Sequence, residues 1–449
     1  MSFQRYPEYK DSGVEWLGEV PAHWGVLRLK NVLAQKVTDG PHTTPVFIDE
    51  GVPFLSVDGI QNGELVFDGC RFVSEDDHAE FKRKASPRRN DLLMGKAAST
   101  GKIARVKVDF DFSIWSPLAL IRIDRNAALP EFVEYILKSK ATQAEIDNYC
   151  TANTQKNISM DDIPRLILTH PPIEEQTAIA TFLDHETAKI DALVAEQEKL
   201  IALLQEKRQA VISHAVTKGL NPNAPVKGSG VEWLGEVPEH WAVARLGYFA
   251  TVENGTTPTR DMPEYWLDGE IPWLASGEVN KLHIFEAEEF ITQTALKRCS
   301  LRLLPIDTVV VGLIGQGKTR GMSALLRTPA TINQNLAAVC PGSMLNSWFL
   351  LYAFHAMYDW LREAGRGGNQ AAMNCEMLRS LLVPVPNVDE QAEIVERINA
   401  ALAGIDQLSV EAASATKLLQ ERRTALISAA VTGQIDVRGW VPAGEASIS

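Results

Sequence analysis

Cysteine is scarce in this chain and badly placed for any of its structural uses. Cys70, Cys150, Cys299, Cys340 and Cys375 are odd in number, far apart and form no CxxC pair, which argues against both a disulfide framework and a zinc site. Long apolar runs are also missing. No stretch approaches the eighteen or so residues of a membrane helix, and the opening MSFQRYPEYKDSG has no signal-peptide character, so the expectation is a protein of a reducing cytoplasm. A basic excess is lacking as well: 44 Lys and Arg face 57 Asp and Glu, a net charge of −13, whereas a nucleic-acid binder usually shows a basic footprint. Either nucleic acid is not a partner, or another protein supplies part of the positive field. Hydrophobic content of 45% and charge of 22% are ordinary for a folded protein, and a prior of roughly 150 residues per domain suggests about three units.

Catalytic constellations fail on context. Gly312 to Thr319 reads GLIGQGKT after an apolar run, a literal P-loop string, but a P-loop must open a helix whose N-terminus holds phosphate. Here Gly321 and Pro329 follow almost at once, and the related segment GKAASTGKIARV from Gly95 has Ile103 where the hydroxyl should stand. A basic Gly-rich loop facing a phosphate backbone and a plain structural hairpin are the readings that remain. The one Pro-Pro, Pro171-Pro172, opens a helix rather than a methyltransferase motif. Glu80-Phe-Lys82 mimics half a nuclease site but lacks its Pro-Asp element, and the nine histidines are scattered. No catalytic residue, metal, cofactor or small-molecule substrate is expected.

Repetition is what the chain has in abundance. SGVEWLGEVPAHW (Ser12 to Trp24) and SGVEWLGEVPEHW (Ser229 to Trp241) agree at twelve of thirteen positions, and LLQEKRQAVISHAVTKG from Leu203 matches LLQERRTALISAAVTGQ from Leu418 at eleven of seventeen. Two tags recurring in one order make the chain two copies of about 215 residues. Each copy starts with short apolar runs broken by turns, such as VPFLSVDGI from Val52 and IPWLASGEV from Ile271, which read as strands with helices between them. That predicts duplicated α/β domains of overall α+β class.

From Pro172 the pattern becomes helical. Ile190, Gln197, Leu204 and Val211 recur every seven residues, with Val194, Ile201, Arg208 and Ala215 four places after each, a coiled-coil seam. Asp389 to Thr432 repeats it through Ile405, Ala412, Leu419 and Leu426. Polar interruptions at Gln197, Arg208, Ser409, Thr416 and Arg423 suit a pair with fixed register, and two such helices in one chain pair most simply antiparallel, with pseudo-twofold symmetry. The expected organisation is a first domain 1–170, a helix 171–218, a linker 219–228, a second domain 229–385, a helix 386–433 and a tail 434–449. A solvated helical hairpin without a partner is the plain alternative for the helices.

Binding chemistry gathers in matching loops. KVTDGPHTTPVF from Lys36 aligns with ATVENGTTPTRD from Ala250, and hydroxyls beside exposed amides suit phosphate contacts. Lys36, His42, Thr43 and Thr44 are candidates in one copy, and Thr256, Thr257, Thr259 and Arg260 in the other. Near the remaining loops stand Arg88, Arg89, Lys96, Lys102 and Arg105, then Gln316, Lys318, Arg320, Gln334, Asn335, Arg362, Arg366, Asn369 and Gln370. These are the side chains that read base edges, although any single one could be a solvated surface residue.

Taken together, SGVEWLGEVPxHW, the loops DGPHTTP and GTTP, EYWLDGEIPW from Glu264, the helix start PPIEEQ and LLQExR leading into AVTG resemble the DNA-specificity subunit of Type I restriction-modification systems, over nearly the whole chain. The resemblance implies a cytoplasmic phage-defence protein without an active site. It implies two target-recognition domains that each read half of a bipartite double-stranded DNA sequence, and helices that set the gap and hold two methyltransferase subunits, with motor-nuclease subunits completing the complex. It would also account for the acidic charge and the failed P-loop. The alternatives are a helical protein–protein scaffold that never touches DNA, and an ATP-dependent enzyme resting on Gly312 to Thr319. The purified chain is expected to leave ATP unhydrolysed; turnover that disappears in Lys318→Ala would contradict this.

Overall fold

The computed structural model describes residues 4–150, 156–315, 318–364 and 373–441. The chain divides into two compact units: one runs to Gln197 and resumes at Ser414, and the other is Glu198–Ala413. Each of the two long helices, Ile173–Lys218 and Val388–Val431, therefore serves both units.

In the first unit, Tyr9–Asp11 and Glu19–Pro21 form a hairpin, and Gly25–Arg28 pairs antiparallel with Ile167–His170, joining the two ends of the globular part. Between them lies an antiparallel sheet in the order Ile103–Arg105, Leu92–Gly95, Leu118–Ile121, Thr38–Asp39. A three-stranded sheet sets Val52–Leu55 between Ser113–Ile114, parallel, and Arg71–Val73, antiparallel. Strand side chains alternate between faces, so Leu92 and Met94 enter one core with Phe132 and Ile136 while Leu93 enters another with Leu118 and Leu120. Burial on both faces explains why these strands read as unbroken apolar runs.

The second unit repeats the plan. Ala250–Asn254, Leu336–Pro341, Val309–Gly312, Ser323–Leu326 and His283–Ile284 form a five-stranded sheet, and Glu289–Ile291, Ile271–Leu274 and Thr331–Ile332 a three-stranded one. Val309 and Val311 face one core and Val310 the other. The expected linker already contains strand Val226–Gly228, which pairs with Glu236–Pro238. Residues 434–441 of the expected tail pack on the first unit: Asp436 bridges Gln4, Val437 is buried in the core, and Trp440 stacks edge-on against Phe182 at 5.2 Å.

Within each unit the long helices run antiparallel. In the first, Thr169, just before one helix, donates to the Val431 carbonyl at the end of the other, and further along Arg423 Nε reaches Asp191 Oδ1 at 2.8 Å. In the second, Leu204, Ile212 and Val216 share a core with Ile394, Ile398 and Ile405, and Arg208 pairs with Asp406. Exposed pairs of this kind contribute only about 0–1 kcal/mol, and polar positions in a helix seam, as Arg208 and Arg423 are, suit register more than stability. Ile190, Leu204 and Ile405 are buried in that seam, while Val194, Ile201, Val211, Leu419 and Leu426 are half-buried.

The repeated tags have one structural task. Trp24 Nε1 donates to Glu175 Oε2 at 3.0 Å and His23 Nε2 lies 2.6 Å from Glu175 Oε1; in the second unit Trp241 Nε1 donates to Glu390 Oε1 at 2.9 Å and His240 Nε2 lies 3.0 Å from Glu390 Oε2. Both carboxylates stand in the first turn of a long helix, where the dipole favours negative charge. The next residues, Gln176 and Gln391, are fully buried. Each amide oxygen accepts a backbone N–H at the start of a domain helix, from Leu129 at 2.8 Å and Asn346 at 2.7 Å. The tags also close helix ends: Gly433 (φ +75°) packs on Pro21 and Trp24, and Gly219 (φ +72°) on Pro238 and Trp241. These are left-handed C-caps with no room for a side chain at Gly433. Replacing Glu175 or Glu390 by Ala orphans a buried indole N–H and should lower stability by about 1–3 kcal/mol, more than the Gln variants, which keep an acceptor. Urea unfolding of the full chain followed by circular dichroism would give that order.

Candidate nucleic-acid interface

The matching loops leave equivalent strands. Asp39 pairs with Ala119 and Asn254 with Ala337, and the glycine that follows meets a carbonyl in both units. A Cβ at Gly40 would sit 1.8 Å from the Ile114 oxygen, and one at Gly255 1.7 Å from the Ile332 oxygen. Only glycine fits there, which is the physical content of the DGPHTTP and NGTTP patterns.

Beyond that glycine the two loops differ in chemistry. In the first unit Asp39 is buried and holds Lys96 Nζ at 2.6 Å, the Lys84 ammonium, and His42 Nε2 at 3.2 Å. Lys84 also donates to the Gly40 carbonyl at 2.9 Å. Burial pushes the Asp39 carboxyl up, but hydrogen bonds from Lys84 and Lys96 outweigh it and hold the group below the usual carboxylate range. In the second unit Asn254 is exposed and Leu313, which follows Gly312 as Lys96 follows Gly95, is buried. There the loop is pinned by indoles instead: Trp273 Nε1 donates to the Thr256 carbonyl at 3.0 Å and Trp266 Nε1 to the Thr259 carbonyl at 3.2 Å.

Lys36, His42, Thr43, Thr44, Thr256, Thr259, Lys318 and Gln334 are exposed, and Thr257 Oγ1 donates to Gln334 Oε1 at 2.5 Å. Other candidates already hold partners within the protein, some buried and some, such as Lys102 and Arg260, at the surface. Arg105, only 14% exposed, donates to Glu134 Oε2 at 2.9 Å and Asn90 Oδ1 at 3.0 Å, so its guanidinium ties a strand to helix Pro130–Lys138. Lys96 is 12% exposed and acts through Asp39. Lys102 Nζ donates to the Ile60 carbonyl at 3.2 Å. Arg260 forks onto Glu289 while lying 3.9 Å over the Trp266 ring. Arg320 donates to the Arg362 carbonyl at 2.7 Å, and the Asn335 backbone N–H is held by Asn333 Oδ1 at 3.0 Å. Gln316, Arg366, Asn369 and Gln370 lie outside the described residues.

The strands on either side of the P-loop string pair with each other: Val309–Gly312 is followed by the antiparallel strand Ser323–Leu326, and Gly321 N–H donates to the Gly312 carbonyl at 2.8 Å, so among the described residues a strand, not a helix, follows the string. Leu92–Gly95 and Ile103–Arg105 form the matching hairpin in the first unit. Among the described residues no group of His, Cys, Asp or Glu could hold a metal ion, and no helix is long and apolar enough to cross a membrane. Lys84 and the aromatic side chains under the loops escaped sequence reasoning; a faint signal for the aromatics was PFLS matching PWLA.

A depressed carboxylate stabilises the fold above its unfolded pKa and loses that contribution as pH falls through the folded value. Amide protection in residues 39–47, taken relative to the intrinsic exchange rate at each pH, should therefore hold at neutral pH and fall below about pH 4. An Asp39→Asn chain whose loop exchanged like the parent would contradict the lock.

Residues 21–202 and 238–409 each match the profile of the Type I restriction modification DNA specificity domain. The EcoR124I/EcoR124II specificity subunit of Escherichia coli is 28% identical over 64% of this chain and 68% of its own length. The putative MjaX specificity subunit of Methanocaldococcus jannaschii is 24% identical over 94% and 96%. In fold, the chain resembles one from a structure concerned with complex assembly and conformational transition of the type I R-M system, with a TM-score of 0.72 and 18% identity over 92% of this chain and 98% of that one. The HsdS subunit of Thermoanaerobacter tengcongensis gives 0.51 over 93% and 98%, also at 18% identity. With most of each globular part and the first half of each long helix inside the matched regions, the chain belongs to the Type I restriction-modification DNA specificity family, whose members read the DNA target and leave the chemistry to other subunits.

Proposed function

We propose that the globular parts of the two units each read one half of a bipartite, asymmetric DNA target, and that the long helices carry two methyltransferase subunits and set the gap between the halves, with motor-nuclease subunits joining the same complex. The observation that carries this reading is the pair of matching loops on unlike chemistry. One backbone plan, with its obligatory glycine, presents an Asp–Lys–Lys–His cluster in the first unit and an Arg–Trp–Trp cluster in the second. Two copies kept alike in scaffold and unlike at the loop suit two different half-sites better than a palindrome.

The working boundaries are 1–170 and 229–385 for reading and 171–218 and 386–433 for the helices. Exposed Lys36, His42, Thr43, Thr44, Thr256, Thr259 and Lys318 are the proposed backbone contacts. Docking on the helices is supported by apolar side chains that no core covers. Leu193 is 48% exposed and Leu418 62% in the first unit, and Leu203 50% and Val410 67% in the second; solvated helix faces rarely carry so many. A partner with basic surface would also balance the net charge of −13.

Each inserted helical residue adds about 1.5 Å and a base pair spans about 3.4 Å. Inserting a short repeat near Leu203 should lengthen the gap of the methylated motif and leave both halves unchanged. Exchanging residues 25–165 for those of a relative should change one half only. Sequencing methylated adenines in a host that expresses the chain with its methyltransferase subunits reads both outcomes, and an insertion mutant that assembles yet keeps the parental gap would refute the ruler.

A further inference from the structure

The first unit holds a guanidinium that neither the loops nor the fold accounts for. Arg71 stands directly opposite Phe54 across the pair Val52–Leu55 and Arg71–Val73, so both point to the same face of the sheet. Its guanidinium lies 4.5 Å over the ring of Phe47, three residues past Thr44, and among the described residues no carboxylate pairs with it.

The second unit makes the contrast plain. Trp273 faces Glu289 as Phe54 faces Arg71, so the position of Arg71 is taken by an acid. The guanidinium there comes from the loop, as Arg260, stacked on Trp266 and held by Glu289. Both units keep a guanidinium on aromatic rings beside the Thr-Pro loop, one neutralised and one bare.

Arg71 also lines an open cavity of about 620 Å³ together with Lys102, Ser56, Ser99, Asp58 and Asp68. A site for phosphate alone would present donors only, and Asp58 and Asp68 would repel the anion. A mixed wall of donors and acceptors is instead what a base-pair edge requires: guanine offers acceptors at O6 and N7, and its paired cytosine a donor at N4. Stacking on Phe47 fixes the guanidinium plane and leaves its outer edge free for a bidentate contact.

We infer that Arg71 is a specificity-determining residue that reads a guanine of the first unit's half-site, with Asp58 in the same cavity accepting from the paired cytosine. This rests on the reading of each unit as a half-site reader. The test expresses the full chain with its methyltransferase subunits and sequences the methylated motif. A parent that gives no bipartite motif defeats the half-site reading itself. Given such a motif, Arg71→Gln should relax one G·C position in one half by about 5- to 150-fold in discrimination and leave the other half intact, and Phe47→Leu should relax the same position less. Arg71→Lys, which keeps the charge but loses the planar fork, should relax it too. Full specificity with Arg71→Lys, or a uniform loss of methylation across sequences in all three variants, would make Arg71 a phosphate contact or a packing residue and overturn the inference.

Discussion

A Glu-Gln pair in the first turn of each long helix is the contact on which the remaining architecture depends. Glu175 and Glu390 take the indole N–H of the tag tryptophan, and Gln176 and Gln391 take a backbone N–H at the start of a domain helix. One turn of helix thus fixes both the tag and the globular part. Glu175, Gln176 and Gln391 are buried and Glu390 is half-buried against a buried indole, and an unsatisfied buried polar group costs more than a satisfied one gains. The pair therefore selects one arrangement of helix, hairpin and domain more strongly than it stabilises it.

The same tags finish the opposite helix ends within each unit. Trp24 and Pro21 pack on Gly433, and Trp241 and Pro238 on Gly219, so each tag is shared between the start of one long helix and the end of the other. That sharing explains why the tags vary so little between the two copies while the loops vary freely. A tag side chain answers to two helices at once, whereas a loop answers to its anchoring glycine and then to whatever it binds.

Divergence at the loops follows from how little of them the fold constrains. After Gly40 and Gly255, the first unit stabilises its loop with buried charge around Asp39 and the second with indole hydrogen bonds and a leucine at the place of Lys96. A charged lock and an apolar lock support one backbone path while presenting different surfaces. This separation of path from surface lets one scaffold carry two unlike loops.

Much of this was legible in the chain itself. The heptad positions from Ile190 to Val211 and the Arg208 and Arg423 interruptions announced paired helices, the tag repeats announced two like units, and Gly321 with Pro329 ruled out a P-loop helix. Those are local signals, set by side-chain period and by backbone freedom, and they need no knowledge of the fold. Which cations remain available to a ligand was decided only in three dimensions. Arg105 and Arg260 looked as eligible as any other, yet they meet Glu134 and Glu289 across 29 residues in each case, while Arg71 gave no sign in sequence because its bareness depends on which strand lies opposite. Partnering of charge is a long-range property: strand register chooses the neighbour, and a string of residues carries no record of it.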